Sequence, residues 1–136
     1  LTKTFGAQIN GSFGASAGTD SPGDATFKSL FADAGHEYNV YAGEYYDAAA
    51  LIMLAMQAAG SSSSSDLKGH VMDVANAPGE KIYPGELAKA MKILAGGGDV
   101  DYVGASAVEL IGPGESGGSY LQYEVQNGKF ETVKYR

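Results

Sequence analysis

An α/β fold is what this sequence predicts, and three stretches carry the prediction. Asn39 to Gly60, NVYAGEYYDAAALIMLAMQAAG, leads a tyrosine-rich extended segment into an apolar helix. From Asp99 onward the spacing of apolar residues changes from helical to strand-like. The C-terminal SYLQYEVQNGKFETVKYR carries a hairpin signal at Asn127-Gly128. Helix faces of this kind need a sheet to cover.

Ala49, Leu51, Ile52, Met53, Leu54, Ala55, Met56 and Ala58 leave the central helix almost no polar face, so burial on most sides is expected. Glu44 and Asp47 put two carboxylates in or near its first turn, where the helix dipole favours negative charge. Gly60 stops it as a left-handed cap, giving a helix of about four turns.

In the order of the chain, LTKTFGAQINGSFGASAG suits a short strand that becomes a connector, with Ile9 and Phe13 as its apolar positions. Thr19-Asp20-Ser21-Pro22 supplies capping residues and a first-turn proline for a helix running to about Ala34, with Phe27, Leu30 and Phe31 on one face. After the central helix, Ser61 to Ser65 reads as a flexible hinge or surface loop. Asp66 to Asn76 is a modest helix, and Ala77-Pro78-Gly79 a turn. Leu87, Ala90, Met91 and Leu94 have helical spacing from Glu86 to Ala95, ended by Gly96 to Gly98. Val100 to Val103 and Ala107 to Ile111 are strand candidates on either side of Gly104-Ala105-Ser106. In the terminal hairpin a type I′ turn at Asn127-Gly128 pairs Val125 with Phe130 and Tyr123 with Thr132, and sets Glu124 against Glu131 on a solvated face.

A formal charge of −7 with nine Lys and Arg excludes the basic surface that nucleic-acid binding requires. The longest apolar run, Ala48 to Met56, is far shorter than the ~20 residues of a spanning helix. With 136 residues, 44% of them hydrophobic, one domain or two small half-domains can be built around a real core. The absence of cysteine removes disulfides, thiolate metal sites and thiol nucleophiles together. Leu1 is not an initiator methionine and no signal-peptide pattern follows it, which implies either a removed leader or a start inside a longer gene product.

No catalytic constellation emerges, and neither a metal nor a cofactor is expected. His36 and His70 have no matching acidic or histidine spacing. No serine sits in a Gly-x-Ser-x-Gly elbow. GPGESGGS at Gly112 to Ser119 lacks the lysine and following helix of a phosphate loop. Tyrosine is the remaining signal: Tyr38, Tyr41, Tyr45 and Tyr46 cluster ahead of the central helix. These rings either pack a core or interface with their hydroxyls at the rim, or wall an apolar ligand cleft.

YAGEYYDAAALIMLAMQAAG, GHVMDVANAPGEKIYPGELAKAMKILAGGGDVDYVGASAVEL and SYLQYEVQNGKFETV, in that order and spacing, resemble the C-terminal part of type I periplasmic solute-binding proteins of ABC transporters, above all the receptors for branched-chain amino acids. The most specific pieces are Tyr41 to Ala49 and Gly98 to Ser106. The resemblance implies part of a two-lobed receptor that closes on an amino acid or similar solute and presents it to a membrane permease. It implies that residues 1–15 end the second lobe, 16–104 supply the first lobe, and 105–136 return to the second with the hairpin. Gly14, Ala15 and Ser16, with Gly104, Ala105 and Ser106, become hinge candidates. Tyr41 falls where an aromatic packs against the ligand side chain, with Glu44 a weaker cleft candidate; Tyr45 and Tyr46 pack the lobe. The family's binders of the ligand carboxylate and ammonium lie upstream of the matched region, so a missing N-terminal sequence or a second copy becomes an expected partner. The resemblance implies a periplasmic protein, or an extracellular lipid-anchored one in a Gram-positive source. The alternative is a regulatory or assembly α/β module that self-associates.

Overall fold

A computed structural model describes all residues from Leu1 to Arg136. In chain order the first elements are α1 (Thr2–Phe5), a 3-10 turn (Gly6–Ile9), β1 (Phe13–Ala17), α2 (Pro22–Asp33), α3 (Ala42–Ala59), α4 (Ser64–Leu67) and α5 (Val71–Ala75). They are followed by β2 (Glu80–Ile82), α6 (Leu87–Ala95), β3 (Val100–Tyr102), β4 (Leu110–Ile111), β5 (Glu115–Ser116), β6 (Tyr120–Gln126) and β7 (Lys129–Tyr135). They fall into two compact units, Leu1–Asp20 with Gly118–Arg136, and Ser21–Gly117. We call these the hairpin unit and the helical unit.

The hairpin unit is an antiparallel sheet in the order β1-β6-β7. Asn127 and Gly128 both take positive φ, 52° and 72°, the geometry whose twist matches that of the paired strands. Val125 pairs with Phe130, Tyr123 with Thr132 and Glu124 with Glu131, as the turn chemistry requires, and an irregularity follows between Gln122 and Tyr123. Tyr123 and Phe130 meet edge to face at 4.9 Å. The strand expected from the first eighteen residues is confined to Phe13–Ala17. Leu1 to Ile9 instead forms short helical turns, whose local bonds such as Phe5 N–H to Leu1 O need no partner strand.

The helical unit is built on a parallel pair, β2 with β3, joined through α6. Parallel strands are stable only when covered, and Ile82, Val100 and Tyr102 are buried in one cluster with Ala50, Leu51, Leu54 and Ala55 of α3, Val74 and Ala75 of α5, and Ala90 of α6. α2 begins where its sequence signals place it: Ser21 caps, accepting a hydrogen bond from Asp24 N–H, and Pro22 follows at the first position. β2 was not anticipated, because a strand of three residues set between Pro78-Gly79 and Pro84-Gly85 is too short to show a period.

Four further details differ from expectation. α3 is buried along one face only. Ile52 and Met53 are 50% and 42% exposed, since no other part of this chain packs on that side. The helix expected over Asp66 to Asn76 is two short ones, α4 and α5, separated by a turn containing Gly69. The serine run lies on the surface but is tied down at both ends. Ser61 Oγ donates to Asp66 Oδ2 at 2.7 Å, and α4 starts at Ser64. Finally, strand structure between Ala107 and Ile111 is limited to Leu110–Ile111. Ala107 takes a φ of 57° and Val108 N–H turns back to Val103 O. Leu110 is clamped instead by the Asn76 side chain, which donates to its carbonyl at 2.8 Å and accepts from its N–H at 2.9 Å.

Candidate functional site

Asp47 organises the helical unit. It lies in the second turn of α3, is 1% exposed, and has all four of its hydrogen bonds directed at the segment that leaves β3. The Tyr102 hydroxyl and the Ala105 N–H each donate to Oδ1 at 2.8 Å. The Ser106 N–H and hydroxyl each donate to Oδ2 at 2.7 Å. A buried carboxylate is tolerable only when saturated in this way. Burial first, and the neighbouring carboxylate second, push the Tyr102 phenol well above its ordinary range, so it stays protonated and keeps donating.

The backbone around this carboxylate is tightly packed. Gly104 has a φ of 62°, and a Cβ there would strike the Asp47 carboxylate. A Cβ on Gly23, in the first turn of α2, would strike the Gly104 carbonyl. Ser21 Oγ donates to Ala105 O at 3.4 Å. The N-termini of α2 and α3 therefore converge just beyond the C-terminal ends of the two parallel strands. In open α/β sheets that is the edge at which ligands bind.

Tyr41, immediately before α3, has a φ of 72° and a ψ of 1°. A bulky residue in the left-handed region carries strain of about 1–2 kcal/mol. Its ring is exposed and its hydroxyl has no hydrogen-bond partner within the protein. Glu44 sits half-buried in the first turn of α3. Gly104, Ala105 and Ser106 are the segment gripped by Asp47, whereas Gly14, Ala15 and Ser16 lie in β1, paired with Tyr123, Gln122 and Leu121.

Beside Tyr41, between α2 and the first turns of α3, is a cleft of 390 Å³ lined by Phe27, Phe31, Asn39, Ala42, Tyr45 and Tyr46. Phe27 is its buried floor, 5.2 Å from the Phe31 ring and 5.1 Å from that of Tyr46. Tyr46 packs as expected and also accepts from Gly85 N–H at 3.3 Å. Tyr45 was expected to pack the lobe, but its ring is 74% exposed at the cleft rim.

Sequence reasoning missed the role of Asp47, reading it only as a charge complementing the helix dipole. Its partners lie 55 to 59 residues away. One signal was present: the two segments singled out as most specific, Tyr41 to Ala49 and Gly98 to Ser106, are the two that Asp47 joins. Elsewhere, no three His, Asp or Glu side chains converge as a metal site would need, and no helix is long and apolar enough to cross a membrane.

No family model and no curated protein matches the chain. Among solved structures, the leucine-binding protein LivK of Thermotoga maritima superposes on 99% of this chain with a TM-score of 0.64 at 15% sequence identity. The fold is mixed α/β and similar to part of that of a type I periplasmic binding protein. This chain spans 34% of the length of the leucine-binding protein, about a third. The likeness is one of fold, to a protein that binds leucine.

Proposed function

We propose that the chain is part of the substrate-binding component of an ABC uptake system, contributing one wall of an interlobe cleft that binds an amino acid or similar small solute for delivery to a membrane permease. The observation that carries this reading is the convergence of the α2 and α3 N-termini, pinned by Asp47, at the C-terminal edge of the parallel pair. Likeness to a leucine-binding protein over almost the whole chain supports the same reading. Tyr41 stands at that edge with a free hydroxyl and an exposed ring, and backbone strain held at such a position is common where a side chain is kept aimed at a ligand.

In this proposal residues 16–104 belong to the first lobe, and residues 1–15 and 105–136 to the second. Gly14 to Ser16, in β1, and Gly104 to Ser106, in the turn after β3, are the proposed hinge segments. The Asp47 bonds to Tyr102, Ala105 and Ser106 fix the backbone on both sides of Gly104, so the dihedral change of closure falls beyond Ser106. The protein works in the periplasm, or outside a Gram-positive cell on a lipid anchor. Intact mass of the native gene product gives the first check. A mass near 40 kDa, the scale of two ordinary α/β domains, fits a two-lobed receptor, and 14.0 kDa, the mass of this chain, does not.

Titration of that gene product with leucine, isoleucine, valine and phenylalanine then tests the site. Tyr41→Ala keeps the backbone conformation and weakens binding by about 1 to 3 kcal/mol, with little loss of folding stability. Unchanged affinity for whichever amino acid binds the wild type removes Tyr41 from the site. The exposed Ile52 and Met53 favour a second reading, a self-associating module. Concentration-dependent sedimentation together with no amino-acid binding would select it.

A further inference from the structure

The aromatic cleft between α2 and α3 has no part in the proposed solute site, since neither Tyr41 nor Glu44 lines it. Its volume of 390 Å³ falls within the range of about 300–1,000 Å³ usual for small-molecule sites. Four of its six lining residues are aromatic. Phe27 is the fixed element, held by Phe31 and Tyr46 at interplanar angles of 32° and 41° and met edge-on by Tyr38. Tyr45 stands at the rim with most of its ring in solvent, the position from which a ring can close over a guest.

Polar groups at the cleft are few and specific. The Asn39 side-chain amide lines it and has no hydrogen-bond partner within the protein, so it offers both a donor and an acceptor. No ionised side chain is among the lining residues. Lys28 lies over the neighbouring Tyr38 ring at 4.7 Å and is paired with Asp24 at 2.6 Å, and the His36 ring packs on Phe31 at 5.0 Å. An anionic guest would therefore leave its charge without a partner, and the place of a cation on this aromatic patch is already taken by Lys28. Aromatic walls reward a flat guest over an aliphatic one of equal volume, because ring faces and edges pair through their quadrupoles.

We propose that this cleft is a second binding site, taking a small uncharged planar aromatic molecule with one hydrogen-bonding edge, of the indole or phenol class. The chain contains no tryptophan, so the emission of added indole is not overlaid by an indole ring of the protein, and cyclohexanol is read by its displacement of bound indole. The test titrates indole and cyclohexanol against the full chain, with sedimentation of the same samples. Saturable indole binding is expected, with cyclohexanol about tenfold weaker. Tyr45→Ala, an exposed position where folding is not at stake, weakens indole about five- to tenfold, and Asn39→Leu about threefold. Phe31→Ala, checked for native circular dichroism, gives a loss of similar size, while Met53→Ser, on α3 outside the cleft, changes nothing. Equal binding of indole and cyclohexanol, or wild-type affinity in Tyr45→Ala, overturns the proposal. Self-association that disappears in Tyr45→Ala also overturns it, making the cleft a contact between copies.

Discussion

The hairpin unit buries one apolar side chain, Val125, whereas the helical unit buries twelve residues in one continuous cluster and a carboxylate beside them. All seven residues of β7 are exposed. What defines the hairpin unit is local: a two-residue turn, cross-strand pairs, and the ladder of β1 on β6. What defines the helical unit is distant in sequence: Asp47 with Ser106, and Asn76 with Leu110. The difference teaches that the more legible part of this chain is the less strongly held. Turn chemistry sets a register without supplying much burial, and a polar clamp between remote segments leaves no periodic trace.

Removing the clamp is the most severe way to test that contrast. Asp47→Ala leaves the Tyr102 hydroxyl, two backbone N–H groups and the Ser106 hydroxyl without their acceptor. Buried donors stripped of a charged acceptor cost about 1–3 kcal/mol each, partly recovered by relaxation. A net loss of about 3–5 kcal/mol is expected, measured by urea denaturation, with hydrogen exchange accelerating in α3, α6 and β3. Asp47→Asn keeps the shape but presents an amide N–H₂ to donors on one side, and should lose somewhat less. A loss below about 1 kcal/mol in both variants would show that the apolar cluster alone holds the unit.

Val125 is the matching position in the other unit. Val125→Ala removes two methyl groups from a site 2% exposed, and about 2 kcal/mol of local stability should go with them. Hydrogen exchange is the right measurement because it resolves sub-global opening. Amides of β1, β6 and β7 should exchange faster while those of α3 and α6 hold their protection. Uniform acceleration through both units would mean they unfold as one body, and the contrast drawn between them would fail.

Legibility in the sequence follows the distinction between local and distant contacts, within both units. The ends of α2 and α3 were readable because capping is local: Ser21-Pro22 opens one, and Gly60, at a φ of 61°, closes the other. The register of β6 with β7 was readable from Asn127-Gly128 alone. β2 was not, since a strand of three residues set between two Pro-Gly turns carries no period, and the parallel partner that gives it a role lies twenty residues on. The outer face of α3 was misjudged because apolar composition states what a surface would gain by burial, not whether anything arrives to bury it. For the candidate site, Tyr41 could be placed at the start of the helix, but its left-handed backbone could not be, because nothing in a tyrosine signals positive φ. The cleft was half-visible: of the four clustered tyrosines that suggested a wall, Tyr45 and Tyr46 line it, while Phe27 and Phe31, from the preceding helix, supply the floor and side.

The smallest expected effect repeats the chemistry of Asp47 in solvent. Glu86, just before α6, accepts from Tyr83 N–H at 2.9 Å, and Lys89 bridges Glu80 at 2.6 Å and Glu86 at 3.5 Å. The Tyr83 N–H holds the Glu86 carboxyl below its ordinary 4.5, against the opposing effect of burial and with lesser help from Lys89. A carboxyl lowered in the folded state binds its proton more readily when the chain is unfolded. Its contribution is therefore present above 4.5 and disappears as the pH falls through the lowered value. Melting temperatures from pH 6 down to about 3 should decline less steeply in Glu86→Gln than in the wild type, and the two curves should meet at the acid end. Water and salt screen this carboxylate and never reach Asp47, so the pH-dependent difference should be much smaller than the loss in Asp47→Ala. Parallel curves would show that Glu86 contributes nothing through its charge. A difference rivalling the Asp47 loss would mean that depth of burial does not set the strength of carboxylate contacts in this unit.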